Sequence, residues 1–440
     1  MRWLRIEAVL AATQAELGMI PAEAAMEIGR AGQPGRIDLA ALSSEFRRTG
    51  HSLVPLLRSL QAACEGTAGE FVHYGATTQD IQDTAQALEM REVLDEAERE
   101  LLMVLGLLVE LAVSHRNTLM VGRTLAQPAL PITFGLKVAS WIDEMLRQGD
   151  RLAQVRTRVL VVELFGGVGT MAGFDGRGRE LVDRFAARLG LAAPAVAWHT
   201  ARDRVAEFTV VLAMLTATLA RIADEIRVLS RPELGELAEG WEYGRVGSST
   251  MPHKRNAERS AQVVVLAKLA RANAMLGMES MIQEHERDGR GLRIEWVAVA
   301  DAAHHTLAAL EILHEVLQGL QVYPQRMAEH AYAAADRICS EALMLALARR
   351  IGKQSAHALV YDISQHSQSE GISLRESLLR AEAGKFLTAE ELDRVLDPAC
   401  SLGDAGDIVD RSVQHARHWL VGRRRHRAEP VLPTNAERMT

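Results

Sequence analysis

The stretch DTAQALEMREVLDEAERELLMVLGLLVELAV, residues 83–113, is free of proline and places apolar residues three or four positions apart. This spacing forms one apolar face of a helix and does not match the alternation of a strand. A helix of 30 residues is about 45 Å long, and helices of that length in water usually pack side by side in a bundle. The apolar face consists of Ala87, Met90, Leu94, Ala97, Leu101, Leu105 and Leu108.

Four further stretches repeat the helical spacing, at 132–162, 205–229, 260–282 and 302–320. We therefore predict an all-α fold with a central bundle of long helices, and the length of 440 residues favours about three domains. Segments rich in glycine, proline and polar residues are predicted as loops, among them 122–131 and 285–293. The predicted domains are an N-terminal helical domain (1–80), the long-helix bundle (81–320) and a C-terminal helical domain (321–440). The apolar faces are wide, so we expect chains to associate through the bundle.

The composition excludes several classes of protein. The 440 residues are 48% hydrophobic and 24% charged, an ordinary globular balance. The net charge of −7 argues against a nucleic-acid-binding protein. Cys64, Cys339 and Cys400 are too few and too scattered for a disulfide scaffold or a zinc cluster. The sequence shows neither a membrane-spanning run nor a signal-peptide pattern, which predicts a cytoplasmic protein without a membrane partner.

Three polar clusters are candidate sites. In the first, at 72–80, His73, Thr77, Thr78 and Gln79 precede a long helix, whose free N–H groups favour an anion. An ordinary helix cap would explain the same residues. The second is GRTLAQP (residues 122–128), in which Arg123, Thr124 and Gln127 lie together at a helix boundary. Alone, this second cluster is a weak signal.

The third cluster is GSSTMPHKRN, residues 247–256. A serine acts as a general base only if its alkoxide is stabilised, for example by N–H groups and a lysine charge. Ser248 and Lys254 offer that combination, and Asn256 adds an amide. The chain has five lysines among its 50 basic residues, so a lysine at this point is informative.

The third cluster closely resembles the signature loop of the fumarase/aspartase superfamily, and the first two resemble its other conserved regions in the same order. The resemblance implies a mostly helical homotetramer whose active sites each combine residues from three subunits, without cofactor or metal. It implies anti elimination from a small dicarboxylate through an aci-carboxylate carbanion. Ser248 matches the base, Lys254 and Asn256 match the carboxylate-binding pair, and Thr77, Thr78 and Gln79 match the substrate loop.

The branch within the superfamily stays open. Residues 164–170, 198–204 and 283–287 resemble 3-carboxy-cis,cis-muconate cycloisomerases, whereas 49–54, with His51, resembles adenylosuccinate lyases. Adenylosuccinate lyases carry a histidine that acts as the general acid where this chain has Leu125, and leucine cannot transfer a proton. We favour a lyase that releases fumarate or a similar acid by C–N cleavage of a succinyl compound. The alternatives are a cycloisomerase and, less favoured, a non-catalytic structural member.

Other residues are open to two interpretations. His199 is a candidate proton carrier or a loop histidine bonded to backbone. Arg202 and Arg204 are candidate carboxylate clamps, or they form ion pairs with Asp203 or Glu207 at a helix start. His73 is expected to contact substrate, and Arg293 to change the charge of the pocket. The sequence starts after the segment that opens other family members, so we expect a substrate other than a nucleotide.

Overall fold

A computed structural model describes residues 1–33, 35–244, 246–251, 253–381 and 385–428. Within these ranges the chain forms seventeen α-helices and four short strands, which confirms the predicted all-α fold. The helices before the bundle are α1 (Arg2–Glu16), α2 (Ala22–Ala31), α3 (Leu39–Thr49) and α4 (Val54–Ala63). The bundle helices are α5 (Thr78–Ser114), α6 (Phe134–Val159), α8 (Asp203–Leu229), α9 (Glu258–Glu279) and α10 (Gly289–Gln318), with α7 (Gly178–Leu189) beside them.

The remaining elements are short or follow the bundle. The strands are β1 (Leu119–Thr124), β2 (Gln127–Thr133), β3 (Leu237–Ala238) and β4 (Gln321–Val322). The later helices are α11 (Pro324–Ala333), α12 (Ala335–Ile338), α13 (Ser340–Ile351), α14 (Lys353–Glu370), α15 (Leu374–Arg380), α16 (Ala389–Val395) and α17 (Ala405–Ala428).

Neighbouring bundle helices run in opposite directions, because Arg158 late in α6 contacts Glu207 early in α8, and Arg259 early in α9 contacts Glu315 late in α10. Helix α5 has 37 residues and is therefore about 55 Å long. It begins with a capping box in which Thr77 and Asp80 bond each other's backbone N–H groups. Helix α10 begins well before its apolar pattern, because the Asp288 side chain accepts the Arg290 N–H and caps it. The prediction of a loop over 285–293 is therefore wrong beyond Asp288.

The segment 122–131, predicted as a loop, belongs to a β-hairpin. Strand β1 pairs with β2 in antiparallel register, with Thr124 opposite Gln127 and Val121 opposite Pro131. The prolines Pro128 and Pro131 made this segment resemble a loop. A two-stranded ribbon tolerates proline because every strand in it has an outer edge where the missing N–H is not needed.

One large apolar core runs through the bundle and reaches from Leu4 to Ala416. A separate small core, between Leu343 and Leu392, supports part of the predicted C-terminal domain. Helix α17 packs back on α5 and α6, where the Trp419 indole donates to Asp150 at 2.8 Å. The packing thus ties the end of the predicted third domain to the bundle.

Helix α8 is long and apolar enough to span a membrane, with a mean hydropathy of 1.7 in its most apolar window. Inside the protein, 67% of that window is buried. A core helix of a water-soluble bundle passes the same test, so this helix is weak evidence for a membrane.

Candidate active site

The three candidate clusters lie at two ends of the bundle. The first cluster precedes α5, whereas the hairpin with Arg123 follows its far end. The third cluster lies between β3 and α9. It is at the same end of the bundle as the hairpin, because Glu236, just before β3, contacts Arg123 of the hairpin. Because α5 is about 55 Å long, the first cluster is separated from the other two within one chain.

Asp80 organises the first cluster. Its carboxylate accepts N–H groups from Thr77 at 2.9 Å and from Phe165 and Gly166, each at 3.0 Å. It therefore joins the start of α5 to the loop that follows α6. Gly75 allows the close approach of a second loop, because an added Cβ would lie 2.6 Å from the Gly173 carbonyl oxygen.

Arg287 provides an exposed cation at this cluster. Its guanidinium donates to the Thr77 hydroxyl at 2.9 Å and to the Gly167 carbonyl at 2.6 Å. Sequence reasoning used Arg287 only as a mark of the cycloisomerase branch and did not place it at the site. Its separation from Thr77 by 210 positions gave no local signal.

His199, the candidate proton carrier, lies behind this cluster and is 3% exposed. Its Nε2 is 3.1 Å from an Asp80 oxygen and 3.5 Å from a Glu163 oxygen. Burial, opposed by an N–H from Trp198 and reinforced by the nearby Asp80 charge, raises the pKa of Glu163 to about 9. The imidazole therefore contacts carboxylates of its own chain, and the alternative of a ring bonded to backbone does not describe it.

Asp80, Glu163 and His199 bring three potential metal-ligand atoms within 4.8 Å of one another. The Asp80 oxygens already accept three N–H groups, and a Glu163 oxygen accepts the Trp198 N–H at 2.6 Å. The raised pKa of Glu163 favours the protonated acid, which is a poor ligand. These side chains fit a hydrogen-bonded cluster better than a metal centre.

Arg202 holds two carboxylates of its own chain. The fully buried guanidinium donates to Asp83 at 2.8 Å and to Glu295 at 2.8 Å. Of the two interpretations of Arg202, the structure shows an ion pair at the start of α8, and its partners are Asp83 and Glu295 instead of Asp203 or Glu207. The buried Gln79 amide donates to Asp83 and to the His199 carbonyl, each at 2.9 Å, so it braces this cluster.

Other candidates near this end bond to their own chain. The Arg204 guanidinium donates to the Arg158 carbonyl at 3.1 Å. His73 Nδ1 lies 2.7 Å from the buried Glu7 carboxylate. His51 Nδ1 accepts the N–H groups of residues 53 and 54 and so caps α4. Thr78 is partly buried as the first residue of α5, and Arg293 is exposed on α10.

The second cluster forms the hairpin tip, defined here as Thr124–Gln127. Arg123 at its base makes two hydrogen bonds to Glu236, at 2.6 and 3.1 Å, and His330 contacts the same buried carboxylate. Arg123 therefore anchors the hairpin. Thr124 and Gln127 are exposed, and Leu125 is 98% exposed.

In the third cluster, the Ser248 hydroxyl oxygen accepts N–H groups from Thr250 at 3.3 Å and Met251 at 3.1 Å. The Asn256 amide donates to the Gly247 carbonyl at 3.0 Å and closes the loop, and Lys254 is exposed. The two N–H groups are the kind of donor that stabilises an alkoxide. Pro252 lies outside the described residues.

A family model described as "Lyase" matches residues 4–275, and one described as "Adenylosuccinate lyase C-terminus" matches residues 336–412. The chain belongs to the fumarase/aspartase superfamily. It is 37% identical to N-acetyl-S-(2-succino)cysteine lyase of Dickeya dadantii, over 94% of this chain and 91% of the relative. It is 35% identical to 3-carboxy-cis,cis-muconate cycloisomerase of Pseudomonas aeruginosa, over 97% and 93%.

Among solved structures, the fumarate lyase from Mesorhizobium sp. BNC1 is similar with a TM-score of 0.88 and 36% identity, over 94% of both chains. The superfamily predicted from the signature loop is thus confirmed, and the chain is an enzyme of that superfamily, whereas the predicted C–N cleavage is not distinguished from other reactions of its relatives. These relatives break or form bonds of different kinds, so membership alone leaves the leaving group open.

Proposed function

We propose that this superfamily enzyme catalyses β-elimination from a 2-substituted succinate and releases fumarate, with Ser248 as the base. The observation that carries the proposal is the pair of N–H groups on the Ser248 hydroxyl oxygen. They would stabilise the alkoxide that removes a proton from the carbon next to a carboxylate. Lys254 follows Ser248 in the same loop and is exposed, so it would supply positive charge for that carboxylate.

We propose further that each active site combines several subunits of a homotetramer. Two observations support this. The first cluster and Ser248 lie at opposite ends of the bundle, whose longest helix, α5, is about 55 Å long. Apolar side chains also stay exposed along α9, where Val265 is 53% and Met275 57% exposed. Alternating helix directions would let a second, antiparallel copy cover this face and bring the two ends together.

A second candidate is the cycloisomerase reaction. It is favoured by the 35% identity to the Pseudomonas aeruginosa cycloisomerase across nearly the whole of both chains. In that reaction a carboxylate of the substrate is the group that adds or departs. A purified enzyme offered 3-carboxy-cis,cis-muconate and several 2-substituted succinates would separate the two functions by the product formed. The cytoplasmic location stays a prediction.

The base assignment is tested with Ser248→Ala. We expect kcat to fall about a thousandfold, since general-base catalysis contributes 10² to 10⁴. Ser249→Ala is the matched control, because the neighbouring hydroxyl accepts none of these N–H groups. Urea unfolding of all three proteins should coincide. An active Ser248→Ala enzyme would remove the base from the proposal.

Subunit sharing is tested by mixing two inactive variants, Ser248→Ala and Thr78→Val. Each lesion lies at a different end of the bundle, so hybrid tetramers would contain some sites with neither lesion. We expect activity to return after the variants are unfolded and refolded together, and not after separate refolding. Persistent inactivity of hybrids confirmed by mass spectrometry would argue for sites within one chain.

A further inference from the structure

The signature loop of this chain, residues 247–256, has a narrow neck. The Asn256 side-chain amide donates to the Gly247 carbonyl oxygen at 3.0 Å. A Cβ added at Gly247 would overlap the Lys254 carbonyl oxygen, so the two arms of the loop are in contact. Ser248 is the first residue beyond the neck on one arm, and Lys254 lies at the neck on the other. The packing of the neck therefore decides where the proposed base stands relative to the lysine.

Trp241 lies against both arms of this neck. A Cβ added at Gly247 would be 2.9 Å from the indole, a spacing too short for a real side chain. The Arg255 guanidinium lies over the same ring, 5.2 Å from its centroid. Tryptophan is the side chain whose face attracts a guanidinium most strongly. One indole thus contacts the entering arm at Gly247 and the leaving arm at Arg255.

The segment that carries Trp241 is fixed to the bundle. The Glu239 carboxylate accepts the Ser260 N–H at 2.7 Å, which ties this segment to the start of α9. Gly240 lies against Gly319 at the end of α10, where an added Cβ would be 2.9 Å from the Gly319 carbonyl oxygen. Trp241 follows these two residues directly, so two helices of the bundle fix the position from which the indole reaches the loop.

We propose that Trp241 is a positioning residue for the elimination, because it holds the neck of the signature loop closed and so fixes Ser248 relative to Lys254. This inference rests on the proposed function. The indole acts on the reaction through the loop, and Arg255 is the part of the loop that it grips. Its removal should lower kcat more than it raises KM, because misplacing a catalytic group by about 1 Å can cost about a hundredfold in rate.

The first test follows the loop and needs no substrate. Trypsin cleaves after lysine, and mass spectrometry of the digested full-length protein gives the cleavage rate between Lys254 and Arg255. An open neck exposes this bond, so we expect Trp241→Ala to be cleaved at least about fivefold faster than the wild type, and Trp241→Phe, which keeps an aromatic face, within about twofold. Arg423→Met is the matched control, because it removes a guanidinium that lies 4.9 Å from the Trp419 ring centroid. Unchanged cleavage of Trp241→Ala would overturn the proposal.

The second test follows turnover of whichever compound the wild type converts fastest among 3-carboxy-cis,cis-muconate and the 2-substituted succinates. We expect Trp241→Ala to lower kcat by about tenfold to a hundredfold and to change KM less than about threefold. Trp241→Phe should restore most of kcat. A raised KM with unchanged kcat would overturn the proposal, since it would place Trp241 in substrate binding. If the wild type converted none of these compounds, the proposed function would fail, and the trypsin rates would still decide whether Trp241 holds the loop.

A double-mutant cycle tests whether Arg255 and Trp241 act together. Arg255→Met removes the guanidinium and should lower kcat about fivefold, whereas Arg255→Lys keeps a cation over the ring and should lose less. In the Trp241→Ala background, Arg255→Met should have little further effect, because the losses of residues in contact are not additive. Additive losses in kcat would show that the two side chains act independently and would overturn the proposed grip on the loop.

Discussion

The two ends of the long-helix bundle are built differently. At the end where α5 begins, six ionisable side chains are buried together and contact one another within a single chain. At the opposite end, Ser248, Lys254 and the hairpin tip are partly or fully exposed and bond mainly to nearby backbone. The buried group consists of Asp80, Asp83, Glu163, His199, Arg202 and Glu295. One chain thus buries the charged side chains behind the first cluster, whereas Ser248, Lys254 and the hairpin tip stay accessible to another molecule.

The buried group links the helices that meet at the first end. Arg202, just before α8, joins Asp83 of α5 to Glu295 of α10, so one guanidinium ties three helices. A buried ion pair adds little net stability when intact, but removing one partner leaves uncompensated charge. Because of this asymmetry, we expect the free energy of unfolding to depend more on Arg202 than on any other residue compared below.

Replacing Arg202 with methionine should have the largest effect. We expect the free energy of unfolding to fall by about 3–5 kcal/mol, because Asp83 and Glu295 lose their counter-charge inside the protein. Urea unfolding measures this loss. The matched control is Arg227→Met, which removes a 2.8 Å pair with Asp224 in which both side chains are exposed by more than a third. That variant should lose less than about 1 kcal/mol. Equal losses would show that burial does not distinguish the two ends.

Glu163 gives the first end a dependence on pH. Its pKa rises from 4.5 to about 9 because burial, together with the Asp80 charge, disfavours the carboxylate. The folded protein therefore holds a proton that the unfolded chain releases above pH 4.5, so this contribution to stability is complete at low pH. It is lost as the pH rises towards 9, by up to about 1.4 kcal/mol per unit.

Glu163→Gln removes the titrating proton and keeps the shape of the side chain. We expect the difference in unfolding free energy between pH 6 and pH 8 to be smaller in this variant than in the wild type. Glu258→Gln, an exposed position at the start of α9, serves as the control and should keep the wild-type dependence. A Glu163→Gln protein that loses stability with pH as steeply as the wild type would place the titration elsewhere.

The same contrast explains what the sequence could predict. The apolar spacing along 83–113 predicted α5, because a helix and its apolar face depend on residues only three or four positions apart. The signature loop predicted Ser248, because its residues are contiguous in the sequence. Arg202 was misplaced because its partners, Asp83 and Glu295, lie 119 and 93 positions away. Arg287 was missed for the same reason. Local patterns predict local structure, whereas the buried group depends on which helix ends meet in space.

Placing asparagine at a residue with a positive φ angle should have the smallest effect on stability. The sign of this effect should differ between the two ends of the bundle. Leu125→Asn places a residue that favours positive φ in an exposed turn, so we expect unfolding to become more costly by about 1 kcal/mol. The matched change at the first end is Met171→Asn, since Met171 also has a positive φ, of 58°, but packs against the core. There the lost apolar contacts outweigh the relieved strain, and stability should fall. Urea unfolding of the two variants tests this contrast. If both variants had a higher free energy of unfolding than the wild type, the apolar packing of Met171 would not compensate for its strained backbone.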